Sequence, residues 1–210
     1  MKNFILAAAF QLLAIISTTA LASSYSITEL YNNGKYYGGL NYVKTEYDIR
    51  DAQQRLNKEN SVDESVGAGM SGHIGFETLA NKNWMVGVEV EAKKYEGRRL
   101  KTKTGTNLTV VSAHGVGGNL KADYYLNDEF YVGAKVGVEH ITMKAEATDA
   151  GTINKFRSKD TVLTYGVQVG YHIRTDLTAK VEFRRGKFSD RQTDFDTDIE
   201  SLMVGFEFKI

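Results

Sequence analysis

Glu129-Phe130-Tyr131-Val132-Gly133-Ala134-Lys135-Val136-Gly137-Val138-Glu139 is the stretch whose reading decides the fold. Phe130, Val132, Ala134, Val136 and Val138 are apolar, whereas Tyr131, Gly133, Lys135, Gly137 and Glu139 are small, polar or charged. A period of two puts these sets on opposite faces of a β-strand. The apolar face must look either into a protein core or out into lipid.

The same alternation returns at residues 36–43, 66–77, 84–93, 116–125, 163–172, 177–184 and 202–210. Connections between these stretches alternate in length. Residues 78–83, 126–128 and 173–176 are short, while residues 48–65, 96–107, 144–160 and 185–198 are long and hydrophilic. This spacing predicts an all-β, eight-stranded antiparallel up-and-down barrel, with tight turns at one end and long loops at the other.

The composition agrees with one domain and narrows its chemistry. The chain of 210 residues carries 20 glycines, 12 tyrosines and 10 phenylalanines, with no proline and no cysteine. A formal charge of zero and a pI near 6.9 give no basic stripe for nucleic acid. Without cysteine there is no disulfide framework and no thiol chemistry. The amino end reads as a secretory leader: Lys2, an apolar run at residues 4–16, and the cleavage motif Ala20-Leu21-Ala22. That run falls short of the ~20 apolar residues of a spanning helix. We therefore read residues 1–22 as a signal peptide, 23–35 as a short N-terminal segment and 36–210 as the barrel.

The composition of the polar face decides which way the barrel faces. It combines Gly39, Gly75, Gly87, Gly133, Gly137, Gly166, Gly170 and Gly205 with charges of both signs, including Glu89, Lys121, Lys135, Glu182, Arg184 and Glu207. Eight strands leave an interior just wide enough for side chains. In such a lumen glycines make room and opposite charges pair. The apolar face carries Tyr36, Phe76, Trp84, Tyr124, Phe130, Tyr171, Phe206 and Phe208 near the turn ends, as an interfacial girdle requires.

Residues 36–210 resemble the eight-stranded outer-membrane barrels typified by the OmpA transmembrane domain, OmpX and the neisserial opacity proteins. The most specific part is Met203-Val204-Gly205-Phe206-Glu207-Phe208-Lys209-Ile210, similar to that family's C-terminal assembly signal. Gly205 and Phe208 match, and Ile210 stands where the family usually ends on phenylalanine. The resemblance implies a transmembrane β-barrel in the outer membrane of a Gram-negative bacterium, with short periplasmic turns and four long extracellular loops. It implies as partners outer-membrane lipid and lipopolysaccharide, the assembly machinery through the last strand, and host surface molecules through the loops. A monomer is expected, with no cofactor, no metal and no nucleic acid. No periplasmic peptidoglycan-binding domain is expected after Ile210, so the tethering role of larger members is not implied.

Four motifs need weighing. Gly67-x-Gly69-x-x-Gly72 spells a dinucleotide fingerprint but lies inside an alternating strand rather than before a helix, and is read as packing glycine. Ser112 and His114 share an outer face near the loop end, with His140 expected close by, so a lipid-modifying nucleophile and base were weighed against rim polar residues that touch lipopolysaccharide. His73 and His172 project into the lumen as network members. Arg98, Arg99, Lys101 and Lys103, after Lys93 and Lys94, form a basic loop that reads first as a solvated surface and second as a site for lipid phosphates or sulfated glycans. A short helix is expected near residues 52–56.

The resulting expectation is a structural, surface-exposed scaffold whose loops mediate contacts, with no catalytic residue assigned. The alternative is a porin-like channel of small conductance, and behind it a lipid A-modifying enzyme using Ser112 and His114.

Overall fold

The computed structural model describes residues 34–48, 61–102, 107–149, 152–190 and 195–210. The expected leader and the helix expected near residues 52–56 lie outside these residues. Ten strands follow in chain order: β1 Lys35–Asp48, β2 Ser61–Val66, β3 Gly69–Asn81, β4 Trp84–Tyr95, β5 Gly97–Thr102, β6 Asn107–Tyr125, β7 Phe130–Asp149, β8 Thr152–Arg174, β9 Leu177–Asp190 and β10 Phe195–Lys209. Two of them are continuations. β2 runs into β3 across a corner at Gly67, whose φ of +78° is open to glycine at no steric cost. β5 continues β4 beyond Glu96.

The ladders make eight staves into a closed ring. β1 pairs with β3, β3 with β4, β4 with β6, β6 with β7, β7 with β8, β8 with β9, and β9 with β10, all antiparallel. β10 then pairs back onto β1 from Tyr37↔Lys209 to Asp48↔Asp198. Closure satisfies the backbone through the middle of the wall and leaves no edge there.

Burial is inverted relative to a water-soluble protein. Lys180 is 2% exposed and Leu163 is 63% exposed. The polar face points inward at every stave, as the alternation predicts. The lumenal glycines are required by space: a Cβ on Gly166 would run into the Phe183 carbonyl, and one on Gly205 into the Leu40 carbonyl. On the outer face, Tyr36 and Phe76 stack at 5.2 Å between ring centres, Trp84 and Tyr124 at 5.2 Å, and Phe130 and Tyr171 at 4.6 Å. Each pair joins directly opposed residues of neighbouring strands. Together they build the girdle at the turn end, where Asn127 Oδ1 accepts from the amides of Glu129 and Phe130 at 2.9 and 2.8 Å to cap one tight turn.

The loop end departs from the sequence expectation. Residues 144–160, read as a loop, are largely ladder: β7 and β8 stay paired from Lys144↔Arg157 to Asp149↔Thr152. The connection at 96–107 likewise contains β5, and that at 48–65 contains β2. Charged residues hid these strands because neither face of a protruding hairpin needs to be apolar.

Two seams open above the closed ring. The β1–β3 ladder ends at Val43↔Gly69 and the β8–β9 ladder at Thr164↔Gly186. Beyond them the wall divides into a sheet β2-β5-β6-β7-β8 and a smaller sheet β1-β10-β9. This crown is held shut from within. Tyr47, Phe188 and Ile199 of the smaller sheet pack against Tyr95 of β4 and Val110, Ala113, Ile141, Met143 and Val162 of the larger one, all buried.

Candidate functional site: the filled lumen and its crown

From the turn end upward, the lumen is stacked in layers. The lowest is aromatic. Tyr125 lies 5.4 Å from Tyr131 and stacks at 5.5 Å on His172, above Met85 and Leu79. His172 Nε2 is 3.0 Å from the Tyr125 hydroxyl and its Nδ1 is 2.7 Å from Thr178 Oγ1.

The next layer is ionic and crosses the barrel. Lys121 of β6 pairs with Glu77 of β3 and lies 3.7 Å from Glu207 of β10, with its ammonium 3.9 Å above the Tyr37 ring. Lys180 Nζ sits 3.1 Å from His73 Nε2 and 3.4 Å from Glu207 Oε2. Gln168 donates to Asp123 at 2.5 Å. Higher still, Lys135 of β7 reaches both Glu89 of β4 and Glu182 of β9 at 3.0 Å. Arg184 joins Glu182 to Glu91, and Lys93 donates to Glu139 at 3.2 Å. Tyr95 caps this layer by donating to Glu139 at 2.6 Å.

Charges this deeply buried are tolerated only when paired and hydrogen-bonded. Here Lys121, Lys135, Lys93 and Arg184 meet carboxylates from non-adjacent strands, so the network fixes the cross-section of the barrel. Above it comes the apolar crown core. A continuous water path would have to disrupt an aromatic layer, an ionic layer and an apolar layer in turn.

The seams of the crown are sutured by side chains where the ladders stop. Glu96 Oε2 accepts from the Thr45 amide at 3.1 Å, Thr45 Oγ1 accepts from the Glu96 amide at 3.3 Å, and Tyr47 donates to the Glu96 carbonyl at 2.9 Å. At the other seam Asp160 Oδ2 accepts from the Ser189 amide at 2.8 Å. Arg98, expected in a basic loop, approaches Glu46 to 3.8 Å across the first seam.

The remaining sequence candidates separate in space. Ser112 and His114 do lie toward the outer face, but Ser112 is opposite Lys144, four positions along β7 from His140, about 13 Å away at strand spacing. His140 Nδ1 is instead 3.2 Å from Thr161 Oγ1. The structure therefore does not bring Ser112 and His140 together. His73 and His172 sit in different lumenal layers, and no group of histidine and acidic residues suited to a metal occurs among the described residues. Lys93 belongs to the lumen rather than to the basic loop, while the side chains of Lys101 and Lys103 lie outside the described residues. Gly67, Gly69 and Gly72 form no cradle: the first turns a corner, the second faces the Val43 carbonyl, and the third lies on the outer wall.

The crown core was missed by sequence reasoning. Its signal was present, since the inward parity of β7 changes from charged to apolar after Glu139, at Ile141 and Met143.

Comparison with known proteins agrees with this architecture. A family model described as outer membrane protein beta-barrel domain matches residues 8–208. Among solved structures, the chain is similar to Ail, the attachment invasion locus protein of Yersinia pestis, at 12% identity and a TM-score of 0.46, over 84% of this chain and 97% of that one. It is also similar to neisserial surface protein A at 14% identity and a TM-score of 0.44, over 84% and 97%. The N-terminal β-barrel domain of Pseudomonas aeruginosa OprF gives 13% identity and a TM-score of 0.46, over 84% and 100%. No curated protein matches the sequence significantly.

Proposed function

The chain belongs to the outer membrane protein beta-barrel domain family, and from that premise we propose that it is a non-enzymatic scaffold whose crown makes contacts at the cell surface. The observation that carries this reading is the β7–β8 hairpin. β8 releases β9 at Thr164 yet remains paired with β7 as far as Thr152, about 40 Å further along the strand. A hairpin this long, with one free edge and Lys144, Lys155, Arg157 and Lys159 on it, suits an extended anionic partner such as a sulfated polysaccharide.

The filled lumen supports a platform rather than a pore. Delivery through a leader cleaved after Ala22 belongs to the same proposal, supported by the Ala20-Leu21-Ala22 motif. The test replaces residues 144–157 with a two-residue Asn-Gly turn between the directly opposed Met143 and Ser158. Cells displaying the intact barrel are expected to bind immobilised heparin, and cells with the shortened hairpin to lose that binding while the purified barrel keeps its fast-migrating unboiled band. Unchanged binding, together with steady conductance in planar bilayers, would overturn the reading in favour of a channel.

A further inference from the structure

The outer wall is not uniformly filled. On β1, β3, β4 and β6 the outward positions Gly38, Gly72, Ala92 and Gly118 fall in two adjacent rows of the sheet, Leu40-Gly72-Ala92-Val116 and Gly38-Ile74-Val90-Gly118. Unlike the lumenal glycines, these have room for a side chain. A Cβ on Gly38 would come no nearer than 3.5 Å to another atom, one on Gly72 3.4 Å and one on Gly118 3.8 Å. Glycine weakens a strand, and a lipid-facing wall ordinarily favours large apolar residues. Nothing within the barrel calls for small residues here.

They leave a groove. Its lower part, about 510 Å³, runs from Gly38 and Phe208 past Gly72, Ile74 and Val90 to Val116. Its upper part, about 470 Å³, shares Leu40, Gly72, Ala92 and Val116 and ends at Lys94 and His114. Each part is of the size of a small-ligand site. Lys94 and His114 are directly opposed on β4 and β6, and both are exposed. No carboxylate pairs with Lys94 among the described residues. A second outer groove, between Ala122, Ala134 and Phe183, also ends at a cation, Arg185, but Asp198 at 2.5 Å and Glu200 at 3.7 Å already neutralise it. Of these two grooves, the first couples an apolar channel to a lysine with no carboxylate partner among the described residues, at the loop-end boundary of the apolar band.

We propose that this groove seats an acyl chain of a phosphate-bearing lipid of the outer leaflet, whose phosphate rests on Lys94 and His114. The proposal rests on the membrane reading given above. A cation near a lipid surface strengthens such binding about fivefold, and the small-residue floor adds the acyl contact that gives selectivity among lipids.

Native mass spectrometry of the full barrel, extracted in mild detergent and supplied with diphosphoryl lipid A, tests this. Wild-type protein is expected to retain one lipid A, with dephosphorylated lipid A retained about fivefold less. Lys94→Gln should weaken retention about fivefold. Gly72→Leu, and independently Ala92→Leu, should weaken it about tenfold, while Ala134→Leu in the second groove leaves it unchanged. Equal retention by the groove-filling variants, or equal retention of the dephosphorylated lipid, overturns the proposal. So does a wild-type dimer that Gly72→Leu dissociates, which would make a second copy the occupant. The unboiled gel band of each variant separates these outcomes from failure of the barrel: if the wild-type protein lacks the fast band, the membrane reading falls and this site with it.

Discussion

Arg184 of β9 and Glu91 of β4 form an ion pair between staves on opposite sides of the ring. With Glu182 on the same guanidinium, the pair acts as a strut at one height of the lumen, as Lys121 and Glu207 do at another. Arg184→Ala leaves Glu91 and Glu182 facing each other without it, which should cost about 3–5 kcal/mol. The temperature at which the fast unboiled band converts to the slow one should drop clearly. In the double variant Arg184→Met with Glu91→Leu, much of that loss should return.

Glycines on the two faces should respond oppositely to the same change. Gly166→Ala places a methyl against the Phe183 carbonyl, where only backbone movement makes room, and should sharply lower the yield of folded barrel on detergent refolding. Gly72→Ala places its methyl at ordinary contact distance from Leu40 and should fold as well as the wild type.

Lysine scanning of the outer wall checks its exposure to lipid. Val136 lies midway along β7 with its side chain outside, opposite Leu120 and Tyr165. Val136→Lys should destabilise the barrel by about 2–4 kcal/mol in denaturant titrations in liposomes, while Thr161→Lys, near the crown, should change stability by about 1 kcal/mol or less. A water-soluble barrel would show no such difference.

The crown should open without the barrel opening. Glu96→Ala removes the acceptor for the Thr45 amide at the seam. Its hydrogen exchange should accelerate by on the order of tenfold, with Gly38 and Leu40 unaffected. Phe188→Ala removes a fully buried aromatic ring that the smaller sheet contributes to the crown core, at a cost of about 3–5 kcal/mol to its closure. Proteolysis should then cut near residues 187–190, with the barrel core resistant.

These comparisons also mark how far the sequence could be read. Strand number, inward and outward faces and the girdle followed from a period of two, because lipid on one side and a narrow lumen on the other impose it at every stave. Partners across the lumen did not. Whether Lys135 meets Glu89 or Glu139 depends on the stagger of staves brought together only by closure, and no local pattern records it. Ser112 and His140 were given the correct face, but the shared neighbourhood expected of them does not occur, because pairing register rather than parity separates them. The crown was hidden for a further reason: strands that rise above the membrane lose the apolar outer face that identifies them.

The seam between β1 and β10 carries one more consequence, for the order of events in assembly. It joins Tyr37 to Lys209, the first stave delivered to the last. No partial chain has a sealed wall, so the ring cannot form piece by piece as the polypeptide emerges. Until the final strand arrives, the edge of β1 stays open to any strand that meets it. Sealing therefore requires that the edge of β1 stay unpaired until β10 arrives to close the wall.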